Sequence, residues 1–399
     1  MWGYFENEVL GYSVMAAEGC DYIKDKSIYM NNSATSWPKP PCVAEAVAGA
    51  LTGKPGSAQR GGIEDYDVFG HVRKKMAKIL GAGSHDHIAL GSNATWGLNL
   101  AIFGYPFEKG DAVVTSTSEH NSVLRPLHAL EKRGLIKVIY VDTDDTGRIP
   151  PDKWEAAMAR HKPKLAVFTH ASNVTGAIND AEALAKAAKG AGAHVLADAS
   201  QTCGWESIDA DGWGLDMTVF TGHKYLLGPQ GTGGLYVRPG LTLNPHMIGG
   251  TGSHSDLPAM PVEMPARLEA GTGNEPSFHG LLAALEWLEE NPMDHRAQCE
   301  MLLALRRGLI DSGAEVIEPD GACTPVVSFS IPGLTPAETG YILGESYDII
   351  CRTGLHCAPK IFSSIGRKEG TVRLSLSRFT TIDEIADAVS AVRDIADAV

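Results

Sequence analysis

Short apolar runs alternate with amphipathic stretches through the middle of the chain. The apolar runs with the length of strands are 111–116, 137–141, 165–170, 194–198, 217–221 and 233–237. Stretches with helical spacing of apolar residues separate several of them, at 122–133, 151–160 and 180–191. Apolar strands separated by helices are typical of βαβ units, in which a mostly parallel sheet has helices on both faces. The pattern therefore predicts an α/β fold.

The pattern changes after about residue 280. Two helical stretches, 278–290 and 294–312, precede two or three short strands, and a last amphipathic stretch covers 382–399. Thr381 and Glu384 have the spacing of a capping box at the start of that stretch. We therefore expect two domains. The large one comprises 36–280, and the smaller one combines 1–35 with 281–399.

Composition and charge narrow the classes of partner. A chain of 399 residues is long enough for about two domains. Its formal net charge of −14 disfavours nucleic acid and anionic lipid surfaces, since both require clustered Lys and Arg. The sequence contains no run of 18 apolar residues, so we expect no transmembrane helix. The first 15 residues lack the basic region of a secretory signal. We expect a protein that binds neither nucleic acid nor membranes.

The seven cysteines are scattered and form no CxxC pair. An odd number of scattered cysteines makes a disulfide framework or a zinc ribbon an unsuitable interpretation, and it fits a reducing cytoplasm. His85 and His87 lie in a polar loop, and the chain contains no HExxH motif. We therefore expect no metal site.

One lysine has unusual surroundings. Lys224 follows an apolar strand and precedes the glycine-rich segment 228–234. A lysine in a crowded, partly desolvated turn has a lowered pKa and becomes a usable nucleophile or base. Such a lysine can hold pyridoxal phosphate (PLP) as a Schiff base. An ordinary solvated loop lysine is the alternative interpretation of this segment.

Three more polar residues follow predicted strands. His120, Asn173 and Asp198 come at or just after strand ends, as Lys224 does. In parallel sheets ligands bind at the carboxyl ends of the strands, so we expect these side chains to share one pocket. Asp198 could pair with a protonated pyridine nitrogen or cap the next turn. The turn 91–95 could bind an anion at a helix start or serve as a simple cap by Ser92 or Asn93.

Several ordered motifs carry a resemblance to a known family. They are YMNNSAT at 29–35, EHNSV at 119–123, SNVTG at 172–176, ADASQ at 197–201, GHK at 222–224, LEAGT at 268–272 and RTGLHC at 352–357. With these motifs the chain resembles the class V aminotransferase-type PLP enzymes of fold type I. Within that group it is most similar to cysteine desulfurases and selenocysteine lyases, nearer the SUF type. The resemblance implies a large domain with a mostly parallel seven-stranded sheet and a smaller C-terminal α/β domain.

The resemblance also implies roles for individual residues. Lys224 would hold PLP and move the substrate's α-proton, His120 would stack on the cofactor ring, and Asp198 would pair with its nitrogen. Gln201 and Asn173 would bond the phenolic oxygen, and Arg373 would bind the substrate carboxylate with Ala34 and Asn173 beside it. The phosphate would be held by Ala94, Thr95, Thr221 and His223, with Thr272 from the second subunit of a homodimer.

Cys357 matches the nucleophilic cysteine of these desulfurases. The resemblance implies that its thiolate takes the sulfur of L-cysteine as a persulfide, leaves L-alanine and then passes the sulfur to an acceptor protein. A neighbouring histidine, Arg352 and Arg373 would favour the thiolate. Selenocysteine is a second candidate substrate. Two competing hypotheses are a class V aminotransferase or C–S or C–N lyase that does not use Cys357, and a binding scaffold without catalysis.

Overall fold

A computed structural model describes residues 27–54, 67–252 and 256–399. Most of the segment 1–35, which we assigned to the smaller domain, therefore lies outside the described residues. The described part opens with a two-residue strand, β1 (Ile28–Tyr29). This strand pairs in parallel with β11 (Ile349–Ile350), so segments more than 300 residues apart in the sequence meet in one small sheet.

The largest element is a sheet of seven strands, and its order is β2-β8-β7-β6-β5-β3-β4. Its strands are β2 (Ile88–Gly91), β3 (Asp111–Ser116), β4 (Ile136–Val141), β5 (Leu165–Thr169), β6 (His194–Asp198), β7 (Met217–Thr221) and β8 (Gly233–Val237). Strands β4, β3, β5, β6 and β7 run parallel, whereas β8 is antiparallel to both β7 and β2. The predicted mostly parallel sheet is confirmed.

Helices cover both faces of this sheet. They are α1 (Pro41–Thr52), α2 (Val68–Leu80), α3 (Ala94–Gly104), α4 (Asn121–Lys132), α5 (Pro151–His161), α6 (Ala181–Gly190) and α7 (Glu275–Glu290). Two separate clusters of buried apolar side chains result, one on each face. Alternate residues of a strand point to opposite faces, so Phe168 joins one cluster and Val167 the other. Strands buried on both faces explain the continuous apolar runs in the sequence.

A four-stranded antiparallel sheet with order β12-β13-β10-β9 forms the remaining layer. Its strands are β9 (Glu315–Val316), β10 (Val326–Ser330), β12 (Arg352–Gly354) and β13 (Thr371–Ser375). The accompanying helices are α8 (His295–Asp311), α9 (Pro336–Tyr347), α10 (Ile361–Ser364) and α11 (Ile382–Asp397). Met30 packs into the third core that these elements share. The predicted capping box is present, since Thr381 and Glu384 exchange hydrogen bonds at the start of α11.

The strand prediction was wrong in two places. Five short strands, β9 to β13, follow residue 312 where we expected two or three, and β2 was not recognised. Strand β2 has only four residues and follows a polar turn at His85–His87, so it has no distinct apolar run. Among the described helices, none combines the length and apolar character needed to cross a membrane.

Candidate active site

One cavity of ≈ 220 Å³ lies at the carboxyl ends of β5, β6 and β7. The loop that follows β12 closes its opposite side. The predicted site residues that line it are Ala34, Ala94, Thr95, His120, Asn173, Asp198, Gln201, Thr221, His223, Lys224, Cys357 and Arg373. Thr272 does not line it and instead borders a second depression with Gly271 and Asn274.

The cavity also contains residues that we had not assigned to the site. They are Ser33, Asn93, Ser122, Thr169, Ser200 and His356, together with Arg352, which we had considered only for its charge. Most of them lie inside the motifs quoted above, so the motif positions themselves were the available signal. Thr169 ends β5, and its place at a strand end was the signal that we missed.

Lys224 lies in a tight turn directly after β7. The turn closes through hydrogen bonds from Gly222 N to Thr232 O (2.9 Å) and from Leu227 N to Lys224 O (2.9 Å). Position 222 has to be glycine, because a Cβ atom there would lie 2.1 Å from Thr232 Oγ1. The glycine-rich segment of the sequence therefore folds back on the strand end and fixes the position of the lysine.

The cavity lowers the pKa of Lys224. Burial has the largest effect, and the nearby Arg373 and Arg352 guanidinium groups lower the pKa further. Asp198 opposes this shift, and the resulting pKa is about 8. A substantial fraction of the amine is thus neutral near physiological pH, which is the state needed for nucleophilic attack on a carbonyl carbon.

Asp198 ends β6 and is only 4% exposed. Its Oδ1 accepts hydrogen bonds from the Ser200 backbone N–H (3.0 Å) and hydroxyl. None of the described residues forms an ion pair with this carboxylate at hydrogen-bonding distance. A buried carboxylate without a direct ion pair favours a ligand that brings a positive charge, such as a protonated pyridine nitrogen.

His120 is the N-cap residue of α4. Its Nδ1 accepts a hydrogen bond from the Ser122 backbone N–H (3.1 Å) and lies 2.7 Å from the Ser122 hydroxyl. Nδ1 is therefore unprotonated, and the neutral ring carries its proton on Nε2. Burial and the Lys224 charge lower the pKa of His120 to about 4, so the ring is neutral at physiological pH.

The start of α3 offers backbone donors to the cavity. Asn93 is the N-cap, and its Oδ1 accepts a hydrogen bond from Trp96 N (2.9 Å). The cap that we considered as the simple alternative is therefore real. It leaves the first-turn N–H groups of Ala94 and Thr95 without intrahelical acceptors, which suits an anion.

Four side chains that line the cavity have a buried polar atom without a partner among the described residues: His356 Nδ1, Arg373 Nε, His223 Nδ1 and Gln201 Oε1. The last two belong to residues predicted to contact PLP. Orphaned buried polar groups are costly, so a native ligand is expected to satisfy them. Together with the open carboxylate of Asp198 and the start of α3, they fit the phosphate, phenolic oxygen and ring nitrogen of PLP.

Arg373, on β13, is 2% exposed. Its Nη1 donates to Asn173 O (2.7 Å) and its Nη2 to Asn31 Oδ1 (3.2 Å), whereas Nε has no partner among the described residues. Burial and the Arg352 charge lower its pKa to about 10, so the group stays cationic. A buried guanidinium held only by neutral oxygens can still bind a carboxylate.

Cys357 lies between β12 and α10 and is half-buried. Its Sγ accepts a hydrogen bond from Arg352 Nη2 at 3.3 Å, and its carbonyl oxygen accepts one from Asn121 N at 2.7 Å. Both His356 (φ 47°) and Cys357 (φ 59°) adopt left-handed backbone conformations. Such conformations are strained in non-glycine residues and persist where the surroundings impose them.

Comparison with known proteins agrees with this geometry. The family model for class-V aminotransferases matches residues 28–387. A probable cysteine desulfurase from Pyrococcus abyssi is 32% identical over 90% of this chain and 91% of its own length. A second one, from Methanothermobacter thermautotrophicus, is also 32% identical, over 79% of this chain and 80% of its own.

A solved structure shows the same similarity. The cysteine desulfurase from Thermococcus onnurineus NA1, in its apo form, superposes with a TM-score of 0.85 and 29% identity. The match covers 94% of this chain and 96% of that one. With the family model spanning most of the sequence, the chain belongs to the class-V aminotransferase family and is a PLP-dependent enzyme.

Proposed function

We propose that this enzyme is a cysteine desulfurase, which converts L-cysteine to L-alanine and carries the released sulfur on Cys357. One observation carries the proposal. The Cys357 thiol, the Lys224 amine and the Arg373 guanidinium, which is hydrogen-bonded only to neutral oxygens, all line one small cavity. The relatives described above are named cysteine desulfurases, and this supports the choice of reaction.

The cavity residues divide the binding of PLP between them. Lys224 would hold the cofactor covalently, Asp198 would face the ring nitrogen, and the His120 ring would stack on it. The remaining contacts would come from Gln201 and Asn173 at the phenolic oxygen, and from Ala94, Thr95, Thr221 and His223 at the phosphate. When bound, PLP withdraws electrons and so stabilises negative charge on the α-carbon of an amino acid.

Substrate binding would begin at Arg373. Its guanidinium attracts the α-carboxylate of the amino acid, while Ala34 and Asn173 flank this position in the cavity. The Lys224 amine, with its lowered pKa, then takes the α-proton and can return it later. This part of the reaction needs no cysteine in the enzyme.

The sulfur step depends on Cys357. Its thiol loses a proton, and the adjacent Arg352 guanidinium stabilises the thiolate at 3.3 Å. The thiolate attacks the substrate sulfur, so an S–S bond forms while the C–S bond breaks. The electron pair of the broken bond stays on the substrate carbon, which takes up a proton to give alanine. Cys357 keeps the sulfur as a persulfide.

We further propose a cytoplasmic homodimer that passes the persulfide sulfur to an acceptor protein. In this dimer Thr272 of one copy would complete the phosphate site of the other, since it lies outside the cavity of its own chain. The six described cysteines are all free, which supports a reducing compartment. The division into domains and the SUF type stay predictions.

The test is product analysis with L-cysteine and a reductant, comparing the wild type with Cys357→Ala. We expect the variant to keep the absorbance of bound PLP and to lose sulfide and alanine production. Cys299→Ala is the matched control, because this thiol is exposed on α8 and lies outside the cavity. Selenocysteine, assayed in parallel, shows which of the two amino acids is preferred.

Three results would contradict the proposal. Full activity of Cys357→Ala would indicate a lyase that does not use this thiol. Amino transfer to a 2-oxo acid that is unaffected by the loss of Cys357 would indicate an aminotransferase. A wild-type protein without PLP absorbance after addition of the cofactor would indicate a binding scaffold.

A further inference from the structure

A chain of buried hydroxyl groups leads from the sheet that carries Arg373 to the residue before Cys357. Ser328 Oγ donates to the Val174 carbonyl at 2.6 Å, Thr371 Oγ1 donates to Ser328 Oγ at 3.2 Å, and His356 Nε2 lies 2.9 Å from Thr371 Oγ1. Ser328 and Thr371 are fully buried, and His356 is 3% exposed. These contacts are therefore shielded from solvent.

Only one arrangement of protons satisfies all three hydrogen bonds of this series of side chains. A carbonyl has no proton, so the single hydroxyl proton of Ser328 points to Val174. Ser328 can then only accept from Thr371, which uses the proton of Thr371. Consequently His356 Nε2 must be the donor to Thr371 Oγ1.

His356 is therefore held in one tautomer, with its proton on Nε2 and a bare Nδ1. That Nδ1 is buried and has no partner among the described residues. Burial and the nearby Arg373 and Arg352 charges hold the pKa of His356 at about 2, so the ring stays neutral. A doubly protonated ring would place a third positive charge beside two arginines.

The same histidine is also held through its backbone. Asn173 Nδ2 donates to the His356 carbonyl at 2.7 Å, and Asn121 N donates to the Cys357 carbonyl at 2.7 Å. Both residues of this pair have left-handed backbone conformations. The ring contact to Thr371 thus adds a side-chain restraint to a strained pair of residues, in which the Cys357 thiol lies beside Arg352.

We propose that Thr371 and Ser328 are positioning residues, which fix the tautomer and orientation of His356 and so hold Cys357 in place for sulfur transfer. This inference rests on the proposed function where it concerns sulfur transfer, and on the structure alone where it concerns the tautomer. It assigns no contact with the substrate to Thr371 or Ser328.

The test compares Thr371→Val, which removes the hydroxyl at nearly constant volume, with Thr371→Ser, which keeps it. Thr218→Val is the matched control, because this buried strand hydroxyl has no partner among the described residues. In the holoenzyme, we expect single-turnover persulfide formation on Cys357, followed by mass spectrometry, to fall about 10-fold in Thr371→Val. Thr371→Ser and Thr218→Val should stay close to the wild type.

Two further measurements separate positioning from general damage. The Lys224-dependent exchange of the α-proton of L-alanine, which needs no thiol, should be unchanged in Thr371→Val. The ¹⁵N NMR signals of His356, assigned by their loss in His356→Asn, should show the Nε2–H tautomer in the wild type and a mixture in Thr371→Val. The NMR result decides the tautomer even if the wild type transfers no sulfur.

Three outcomes would overturn the inference. The first is persulfide formation in Thr371→Val at the wild-type rate. The second is an equal loss of α-proton exchange, which would indicate damage to the whole site. The third is an Nδ1–H tautomer of His356 in the wild type.

Discussion

The two sides of the cavity are built in different ways. On one side, which we call the cofactor side, Asp198 ends a parallel strand, Lys224 lies in the turn directly after another, and His120 caps a helix. On the other side, which we call the thiol side, His356 and Cys357 are two consecutive loop residues with left-handed backbone conformations. Regular elements thus support the cofactor side, whereas the thiol side depends on a strained loop.

The difference matches the tasks that we propose for the two sides. A cofactor that stays bound needs fixed partners, and strand ends place them accurately. A thiol that receives sulfur and then releases it must be reached by two different molecules, which a half-buried loop position allows. Strain at such positions is common in functional sites, where the surrounding contacts maintain it.

The largest expected effect comes from the cofactor side. Lys224→Ala should lower turnover of L-cysteine by about 10³-fold or more, because it removes the group that we propose as both the covalent attachment and the base. Turnover and the absorbance of the holoenzyme provide the measurement, and Lys109→Ala on the exposed surface is the control. A variant that kept a tenth of the activity would show that another group moves the α-proton.

A smaller effect should follow from Arg373→Lys. A lysine carries the charge but lacks the planar fork that binds a carboxylate through two parallel hydrogen bonds. We expect kcat/KM for L-cysteine to fall roughly 10- to 100-fold, mainly through KM. Arg238→Lys, at an ion pair with Asp216 away from the cavity, should have no such effect. An unchanged KM would assign the carboxylate to a different group.

The pH dependence of the reactivity of Lys224 tests how the charges of Arg352 and Arg373 act on this amine across the cavity. Only the neutral amine reacts with an acylating reagent, so the labelling rate should rise with pH. In the apoenzyme the midpoint should lie at about 8, because burial and the two arginines lower the pKa. Mass spectrometry of the labelled peptide measures it. A midpoint near 10.4, the value of a solvated lysine, would show that the cavity does not perturb this amine.

The smallest effect concerns the strained loop alone. At φ 59° a side chain is disfavoured and glycine is not, so Cys357→Gly should be more stable than Cys357→Ala by up to about 1 kcal/mol. Urea denaturation measures the difference. At Ala156, an exposed position in α5, glycine should instead destabilise by about 1 kcal/mol. The same sign at both positions would argue against the left-handed conformation of Cys357.

The same contrast explains what the sequence could predict. Strands β3, β6, β7 and β8 came out with the correct bounds, because strands buried on both faces are continuous apolar runs. Asp198 and Lys224 could then be placed at strand ends from spacing alone. Cys357 needed the resemblance to a family, since its loop has no periodic pattern.

Contacts between distant segments were beyond the sequence. The hydrogen bond from Asn173 to His356 joins residues 183 positions apart, and the hydroxyl chain through Ser328 and Thr371 uses residues with no distinctive pattern. Side-chain chemistry alone does not specify such pairs, because many serines and threonines in the chain could form them. They depend on how the four-stranded sheet docks on the large one.

The pairing of β1 with β11 has a consequence for the order of assembly during synthesis. Asn32 Nδ2 donates to the carbonyl of Ser375, a residue 343 positions later, and Ile28 pairs with Ile349. Every strand that presents Lys224 has been made once Val237 has been added. The strands that present Arg352 and Arg373 are made later, and only then do Ile28 and Asn32 gain these partners. The nascent protein therefore makes the strands of the cofactor side before those of the thiol side.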